Sequence, residues 1–177
     1  IRVDNGKRVP LKFFLGATSR VPATSFEHSG AALGTEEVNQ LLSMDDIYFL
    51  GEMMNFPGVL AHDSEVFKKI ESALSKGKPV DGHAPLLSGD DVKAYAAAGI
   101  TTDHECTTLD EALQKAKCGM LIQIRHGSAA RKLDDLLPLF NFFPEKIMFC
   151  SDDHHPEDLV NGHVNVMVRH AISMGYN

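Results

Sequence analysis

The sequence predicts an α/β fold of the (β/α)8 TIM-barrel type, represented here by a partial barrel of about six β-α units in a single domain over residues 1–177. Short apolar runs alternate with amphipathic segments along the chain, polar clusters end the apolar runs, and no linker or low-complexity stretch interrupts the alternation. Strict alternation of strands and helices is typical of parallel sheets with helical crossovers. The predicted strands are 12–17, 47–52, 79–82, 100–104, 120–125 and 147–150.

Apolar residues at helical spacing, together with residues that begin or end helices, predict a helix after each strand. The expected N-caps of the first four helices are Thr35, Asp63 or Ser64, Ser88 and Thr108. Glycines at 77, 99 and 119 are expected to end three of them. The predicted helices are 35–44, 63–75, 88–98, 109–117, 129–140 and a last one from 161 or 162 to about 174.

A flavodoxin-like open sheet is the alternative architecture. Against it, no G-x-G-x-x-G or P-loop pattern follows any predicted strand. The polar residues that look functional are also spread over at least four strand ends. An open sheet gathers such residues at one switch point, whereas a barrel distributes them around its mouth, so the pattern favours the barrel.

Composition and charge limit the classes to which the protein can belong. Of the 177 residues 44% are hydrophobic and 23% are charged, as in ordinary globular domains. The formal net charge of −7 argues against nonspecific binding to nucleic acid or to acidic membranes. No apolar run is long enough to span a bilayer and no signal peptide is recognisable. Cys106, Cys118 and Cys150 form no CxxC pair, which is typical of reduced thiols in a cytoplasmic protein.

Metal-capable side chains stand at four predicted strand ends: Glu52, His83, His104 and Asp152. Imidazoles and carboxylates are ligands for Zn, Fe and Mn, so this pattern predicts a metal site at the C-terminal mouth of a barrel. The alternatives are hydrogen-bonded loop histidines, a salt bridge at the rim for Glu52, and a turn or helix cap for Asp152 and Asp153. If strand alternation persists, Asp152 points inward, where it can accept a proton from a metal-bound water.

Two further groups of residues are candidates for substrate contacts. After Arg125, Gly127 and Ser128 are expected to begin a helix whose amides hold an anion or a polar substrate edge, or else Ser128 is an ordinary N-cap. His154 and His155 are expected to contact substrate or to lie on the surface. Residues 53, 54 and 56 (Met, Met and Phe) are expected in the core.

Together these residues resemble the adenine deaminases of the amidohydrolase superfamily. The stretches that carry the resemblance are 21–24, 51–59, 81–85, 98–105, 127–130 and 151–153, in the family's order over nearly the whole chain. The glutamate of Gly51-Glu52-Met53-Met54 distinguishes this group from relatives that use a carboxylated lysine on the same strand.

The resemblance implies a binuclear Mn or Fe centre, with Zn as an alternative, and hydrolysis of adenine to hypoxanthine and ammonia. Glu52 matches the bridging carboxylate, and His83 and His104 match the histidines of barrel strands five and six. Asp152 matches the strand-eight aspartate, which ligates a metal and takes a proton from the water. Glu105 is a second candidate for proton transfer. The implied substrate contacts are Arg125, Ser128 and His154.

This chain departs from the family's pattern in three places. It has no His-x-His pair, which the family's first barrel strand supplies, so we expect it to be part of a longer protein and to be inactive alone. His126 and His154 stand where the family usually has Glu and Arg. Open strand edges lead us to expect a homo-oligomer. The alternative functions are an amidohydrolase acting on another cyclic amide or amine, and a non-catalytic partial barrel.

Overall fold

The computed structural model describes residues 2–22 and 26–176, which cluster into two compact units. The first unit runs to Gly82 and includes Ala97–Ile100, and the second comprises His83–Ala96 and the residues from Thr101 onward. Each unit is built on its own three-stranded parallel sheet. Ala23 and Thr24, which belong to one stretch of the family resemblance, lie outside the described residues.

The first unit is organised around a buried central strand. Its sheet has the order β1 (Leu15–Thr18), β2 (Ile47–Met53) and β3 (Val80–Gly82). Leu50 on β2 is aligned with Ala17 on β1 and with Val80 on β3, and all three side chains are buried. Because parallel neighbours need long crossovers, helices separate these strands along the chain. These helices are α2 (Thr35–Leu42), α3 (Phe56–Leu60) and α4 (Ser64–Leu74), and a short helix, α1 (Arg2–Gly6), precedes β1.

Two amphipathic helices cover this sheet. Val38 and Leu42 on α2, and Val66, Ile70 and Ala73 on α4, are buried. Residues three or four apart share one face of a helix, so each helix presents a continuous apolar stripe. α2 and α4 pack on each other and on β2. This packing sets the position of β2, the strand that carries Glu52.

The second unit repeats the design with a sheet in the order β4 (Thr102–Asp103), β5 (Leu121–Arg125) and β6 (Ile147–Cys150). Its helices are α5 (Asp90–Ala97, to Ala96 in this unit), α6 (Leu109–Lys117), α7 (Leu133–Leu136), α8 (Pro156–Leu159) and α9 (Val164–Ser173), with 3-10 segments at Leu137–Asn141 and Pro144–Lys146. The core of this unit includes Ala112, Ala116, Ile122, Ile124, Leu136, Leu139, Met167 and Ala171. The strand ends of this sheet carry most of the predicted site residues.

All six predicted strands are present, and every sheet pairing is parallel, so the α/β prediction is confirmed. The predicted strand 100–104 is shorter than expected, because Ile100 bridges to Val80 of the first unit and only Thr102–Asp103 pair with β5. The architecture is consistent with part of a (β/α)8 barrel, and the described residues show no closed barrel. Within the described ranges, no helix has the length and apolar character needed to cross a bilayer.

The predicted helix over 129–140 is wrong in its first part. His126 and Arg131 form an antiparallel bridge, and residues 129–132 are not helical. The α-helix begins at Leu133, and it gives way to 3-10 geometry from Leu137. Pro138 has no backbone N–H to donate, which accounts for this change.

Three smaller expectations also need correction. Thr35 is the first helical residue and not the cap: Gly34 precedes α2, and its N–H donates to the Glu37 carboxylate over 2.8 Å. The helix expected to begin at Ser88 begins at Asp90. Met54 is exposed, whereas Met53 is buried, because successive residues of an extended segment point to opposite faces.

The Asp63 cap of α4 is confirmed, and it allows a stability prediction. The Asp63 side chain accepts hydrogen bonds from the N–H groups of Glu65 (2.9 Å) and Val66 (3.1 Å), which lack partners inside the helix. Asp63→Ala should lower the free energy of unfolding by about 1 kcal/mol in a denaturant titration. Asp45→Ala, in an exposed turn, is the control. Equal losses in the two variants would contradict the capping role.

Candidate metal centre and histidine-lined cavity

Two predicted ligand histidines face each other within the second unit. His83 directly follows β3 in the chain, and His104 directly follows β4. Nδ1 of His83 lies 3.3 Å from Nε2 of His104, and the two rings meet edge to face with centroids 5.2 Å apart. His104 is buried and His83 is half-buried. Two ring nitrogens this close can share one proton or ligate one ion.

Three charged side chains form a connected group next to the histidine pair. Glu105 Oε1 lies 3.7 Å from both His83 Nδ1 and His104 Nε2. Arg125, at the end of β5, donates hydrogen bonds to Glu105 and, over 2.7 Å, to Asp152 Oδ2. The side chains of Glu105 and Arg125 are 12% and 17% exposed, so water screens their attraction only partly. Five predicted site residues therefore form one connected cluster.

Asp152 owes its position to this ion pair and not to strand alternation. β6 ends at Cys150, and Asp152 has a left-handed backbone with φ of 52°. The expectation that alternation continues to Asp152 is therefore wrong, and the pairing with Arg125 directs the carboxylate instead. The Asp153 side chain is exposed, and its carbonyl accepts the Ser128 N–H over 2.9 Å.

Glu52, the fourth predicted ligand, belongs to the first unit. It lies near the end of β2 with φ of 33°, and its carbonyl accepts a hydrogen bond from the Ser19 hydroxyl. It lines an open groove of about 440 Å³ within that unit, along with Thr18, Arg20 and Asp81. Glu52 and Asp152 thus share a left-handed backbone, which for residues other than glycine is strained and is found preferentially at functional sites.

The Gly127 and Ser128 amides after β5 are not free to bind an anion. No helix begins at Gly127 or Ser128. The Gly127 N–H donates to the Ala130 carbonyl over 2.8 Å, and the Ser128 N–H is engaged as described above. The Ser128 hydroxyl donates to Asp158 over 2.5 Å, and this hydrogen bond lowers the pKa of the Asp158 carboxyl. The predicted anion site at this loop, and the alternative of an N-cap by Ser128, are therefore both wrong.

A cavity of about 420 Å³ in the second unit has four histidines in its lining. They are His126, His154, His163 and His170. Nδ1 of His126 and both ring nitrogens of His154 are buried and have no hydrogen-bond partner among the described residues. Burial, and next the charge of Arg131, lowers the pKa of His126, which favours a neutral ring that can donate and accept. The cavity is therefore suited to a small polar molecule.

The sequence reasoning identified His154 as a candidate but missed the convergence of the other histidines. His163 is the N-cap residue of α9 and His170 lies seven residues later in the same helix, a spacing that places both on one face. His163 Nε2 bonds the Ser151 hydroxyl over 2.9 Å, and His170 Nε2 bonds Asp134 over 2.6 Å. The seven-residue spacing of His163 and His170 was the feature of the sequence that could have predicted their position on one helix face.

Comparison with known proteins places these observations in context. Residues 4–132 match the sequence model of the amidohydrolase family. The adenine deaminase of Salinibacter ruber is 51% identical over 175 residues, which make up 99% of this chain and 32% of that protein. The adenine deaminases of Parabacteroides distasonis and Methanosarcina barkeri are 49% and 47% identical over 99% and 98% of this chain. The chain spans 32% of the length of each of these curated relatives.

Proposed function

Because this chain belongs to the amidohydrolase family, we propose that the intact protein carrying it uses divalent metal ions to hydrolyse adenine to hypoxanthine and ammonia. The observation that carries the proposal is the pair of ring nitrogens of His83 and His104, which lie 3.3 Å apart beside the Glu105 carboxylate. The choice of adenine rests on the name of the relatives that match 98–99% of the chain.

The donor groups of the second unit fit a divalent metal ion. Neutral imidazole nitrogens suit Zn, Fe and Mn, and His83 and His104 present two of them side by side. The Asp152 carboxylate belongs to the same cluster because it forms a salt bridge with Arg125. We propose Glu52 as the bridging carboxylate on the strength of its sequence match alone. We propose that the two metal ions are Mn or Fe, with Zn as the alternative. Two of the four proposed ligands, Glu52 and Asp152, bind through oxygen, which suits these ions.

When bound, the ions would lower the pKa of the attacking water to about 7. Asp152 is the group proposed to handle the proton. As the water oxygen bonds to C6 of adenine, Asp152 accepts the proton from that water. The C6–N bond then breaks, and Asp152 returns the proton to the departing amine, so adenine and water become hypoxanthine and ammonia. Arg125 keeps Asp152 oriented, and Glu105 is the candidate for a proton transfer at the ring.

Among the substrate contacts, His154 has the strongest support. Its ring nitrogens are buried and have no hydrogen-bond partner among the described residues, and His154 lines a cavity large enough for a small molecule. Ser128 and Arg125 stay predictions, and both of their side chains already contact carboxylates. Arg125 has five N–H donors, so a substrate contact does not require it to release Asp152. Homo-oligomerisation and a cytoplasmic location also stay predictions.

We expect the intact protein to release ammonia from adenine, and to do so faster with Mn or Fe than with Zn. The measurement is ammonia release from adenine, guanine and cytosine by protein stripped of metal and reloaded with one ion at a time. Stripped protein is the control and should release none above background. Equal or greater release from guanine or cytosine would contradict the substrate, and hydrolysis of a cyclic amide without turnover of adenine would favour the alternative amidohydrolase.

A further inference from the structure

The second unit contains a buried lysine between two buried carboxylates. Lys115 on α6 and Asp103 on β4 are 0% exposed, and Glu111 on α6 is 5% exposed. Lys115 Nζ lies 3.1 Å from Asp103 Oδ1, 2.8 Å from Glu111 Oε1 and 2.7 Å from the Ala84 carbonyl oxygen. These three oxygens match the three N–H donors of an ammonium group. We call Lys115, Asp103 and Glu111 the Lys115 network.

The ammonium group of Lys115 keeps its positive charge despite its burial. Burial by itself lowers the pKa of Lys115, but the neighbouring Cys106, Asp103 and Glu111 together raise it by more, so the pKa lies above its usual range. Lysine and acidic side chains are almost never this deeply buried unless they are paired. The network therefore places a buried lysine against two buried carboxyl groups, and its stability depends on the hydrogen bonds that these carboxyl groups receive.

Those hydrogen bonds come first from the loop that carries His83. The Ala84 N–H donates to Asp103 Oδ2 over 2.9 Å, and the Leu86 N–H donates to Glu111 Oε1 over 2.8 Å. The Ala84 carbonyl in turn accepts from Lys115. Three backbone groups in the three residues after His83 are thus held by hydrogen bonds to the network.

The same carboxylates hold the loop that carries His104. The Glu105 N–H donates to Asp103 Oδ1 over 2.8 Å, and the Thr107 N–H donates to Glu111 Oε2 over 2.9 Å. His104 itself follows Asp103 in the chain. One set of buried charges therefore anchors the backbone beside both histidines, although the two loops are separated by about a full β-α unit in sequence.

We propose that the Lys115 network is a positioning device that sets the spacing of the His83 and His104 rings, a role that rests on their proposed function as metal ligands. Replacing a buried ion cluster by well-packed apolar residues is often neutral or stabilising, so stability alone is a weak reason for such a cluster. Apolar residues cannot bond five backbone groups in two loops at once. Metal ligands must be held to about 0.5 Å, and the network provides that constraint.

The test is metal binding by the intact protein with Lys115→Met or Glu111→Gln. Cobalt(II) is the probe, because its visible absorption reports the ligands around the ion. We expect the Co²⁺ dissociation constant to rise about 10- to 100-fold, the range found for residues that orient metal ligands. Glu111→Gln keeps the Lys115–Asp103 pair and removes one carboxylate oxygen, so it is the informative variant if Lys115→Met does not fold.

Lys93→Met is the matched control, since it breaks an exposed helical ion pair with Asp90 (2.7 Å) through the same substitution. Its Co²⁺ affinity should equal that of the unaltered protein. If the folded network variants lose thermal stability but keep the unaltered Co²⁺ dissociation constant and spectrum, the network is only structural and the proposal is overturned.

A second readout does not depend on metal binding. In crystal structures of the metal-free variants, the distance from His83 Nδ1 to His104 Nε2 should differ by about 1 Å or more from that in the unaltered protein, well beyond the positional tolerance of a site. An unchanged distance overturns the positioning role. If the distance changes in the variants but the unaltered protein itself binds no Co²⁺, the positioning role is supported and the proposed function is overturned, so the two failures are distinguishable.

Discussion

Asp152→Asn should lower the turnover of adenine by the intact protein about 10²- to 10⁴-fold, the usual contribution of a group that transfers a proton. Asparagine has nearly the same shape, but its amide cannot accept the proton of the attacking water. The fold should survive, because Arg125 keeps its contacts with Glu105 when the Asp152 charge is lost. The measurement is kcat at saturating adenine, together with the metal content, and much of the metal should stay bound.

Asp153→Asn is the control for this change. The Asp153 side chain is exposed, and the group that holds Ser128 is its backbone carbonyl, which the substitution leaves in place. Turnover should therefore be close to that of the unaltered protein. If Asp153→Asn were the more damaging change, the proton-transfer role would have to move to Asp153, and the ion pair of Asp152 with Arg125 would be structural only.

His104→Asn should remove most of the metal affinity of the intact protein and with it the turnover of adenine. The loss should exceed the 10- to 100-fold effect typical of residues that merely orient ligands, because a proposed ligand itself is removed. His104 is buried and its Nε2 lies 3.3 Å from His83 Nδ1, so no water can easily replace the lost imidazole. The measurement is the Mn²⁺ dissociation constant, with adenine turnover measured in parallel.

His62→Asn is the control, because it makes the same substitution at a histidine that is not a proposed ligand. His62 has a left-handed backbone with φ of 55° and stacks on Phe67 in the first unit. Asparagine adopts this backbone conformation readily, so the fold should be undisturbed. Metal affinity and turnover should equal those of the unaltered protein. Unaltered Mn²⁺ binding in folded His104→Asn would show that the histidine pair is not a metal site.

Local patterns were sufficient for the strands, for the longer helices and for most candidate residues. The six strands were predicted because buried strands are short apolar runs, and the caps at Asp63 and Thr108 because a side-chain oxygen there satisfies a helical N–H. His83 and His104 were identified as candidates by their position directly after strands. Each of these inferences uses residues close together in the chain, where sequence spacing determines spatial relations directly.

The tertiary structure alone decided which side chains contact each other. Arg125 joins Glu105 to Asp152, which are 20 and 27 residues away from it in the sequence, and Lys115 bonds Ala84 across 31 residues. No periodicity predicts such pairs, since they depend on how strands and loops are placed in the folded unit. The non-helical segment at residues 129–132 is a similar case, because the bridge from His126 to Arg131 outweighs local helical preference. Sequence by itself thus determined the strands, the longer helices and the candidate residues, whereas packing decided the partners that give those residues their chemistry.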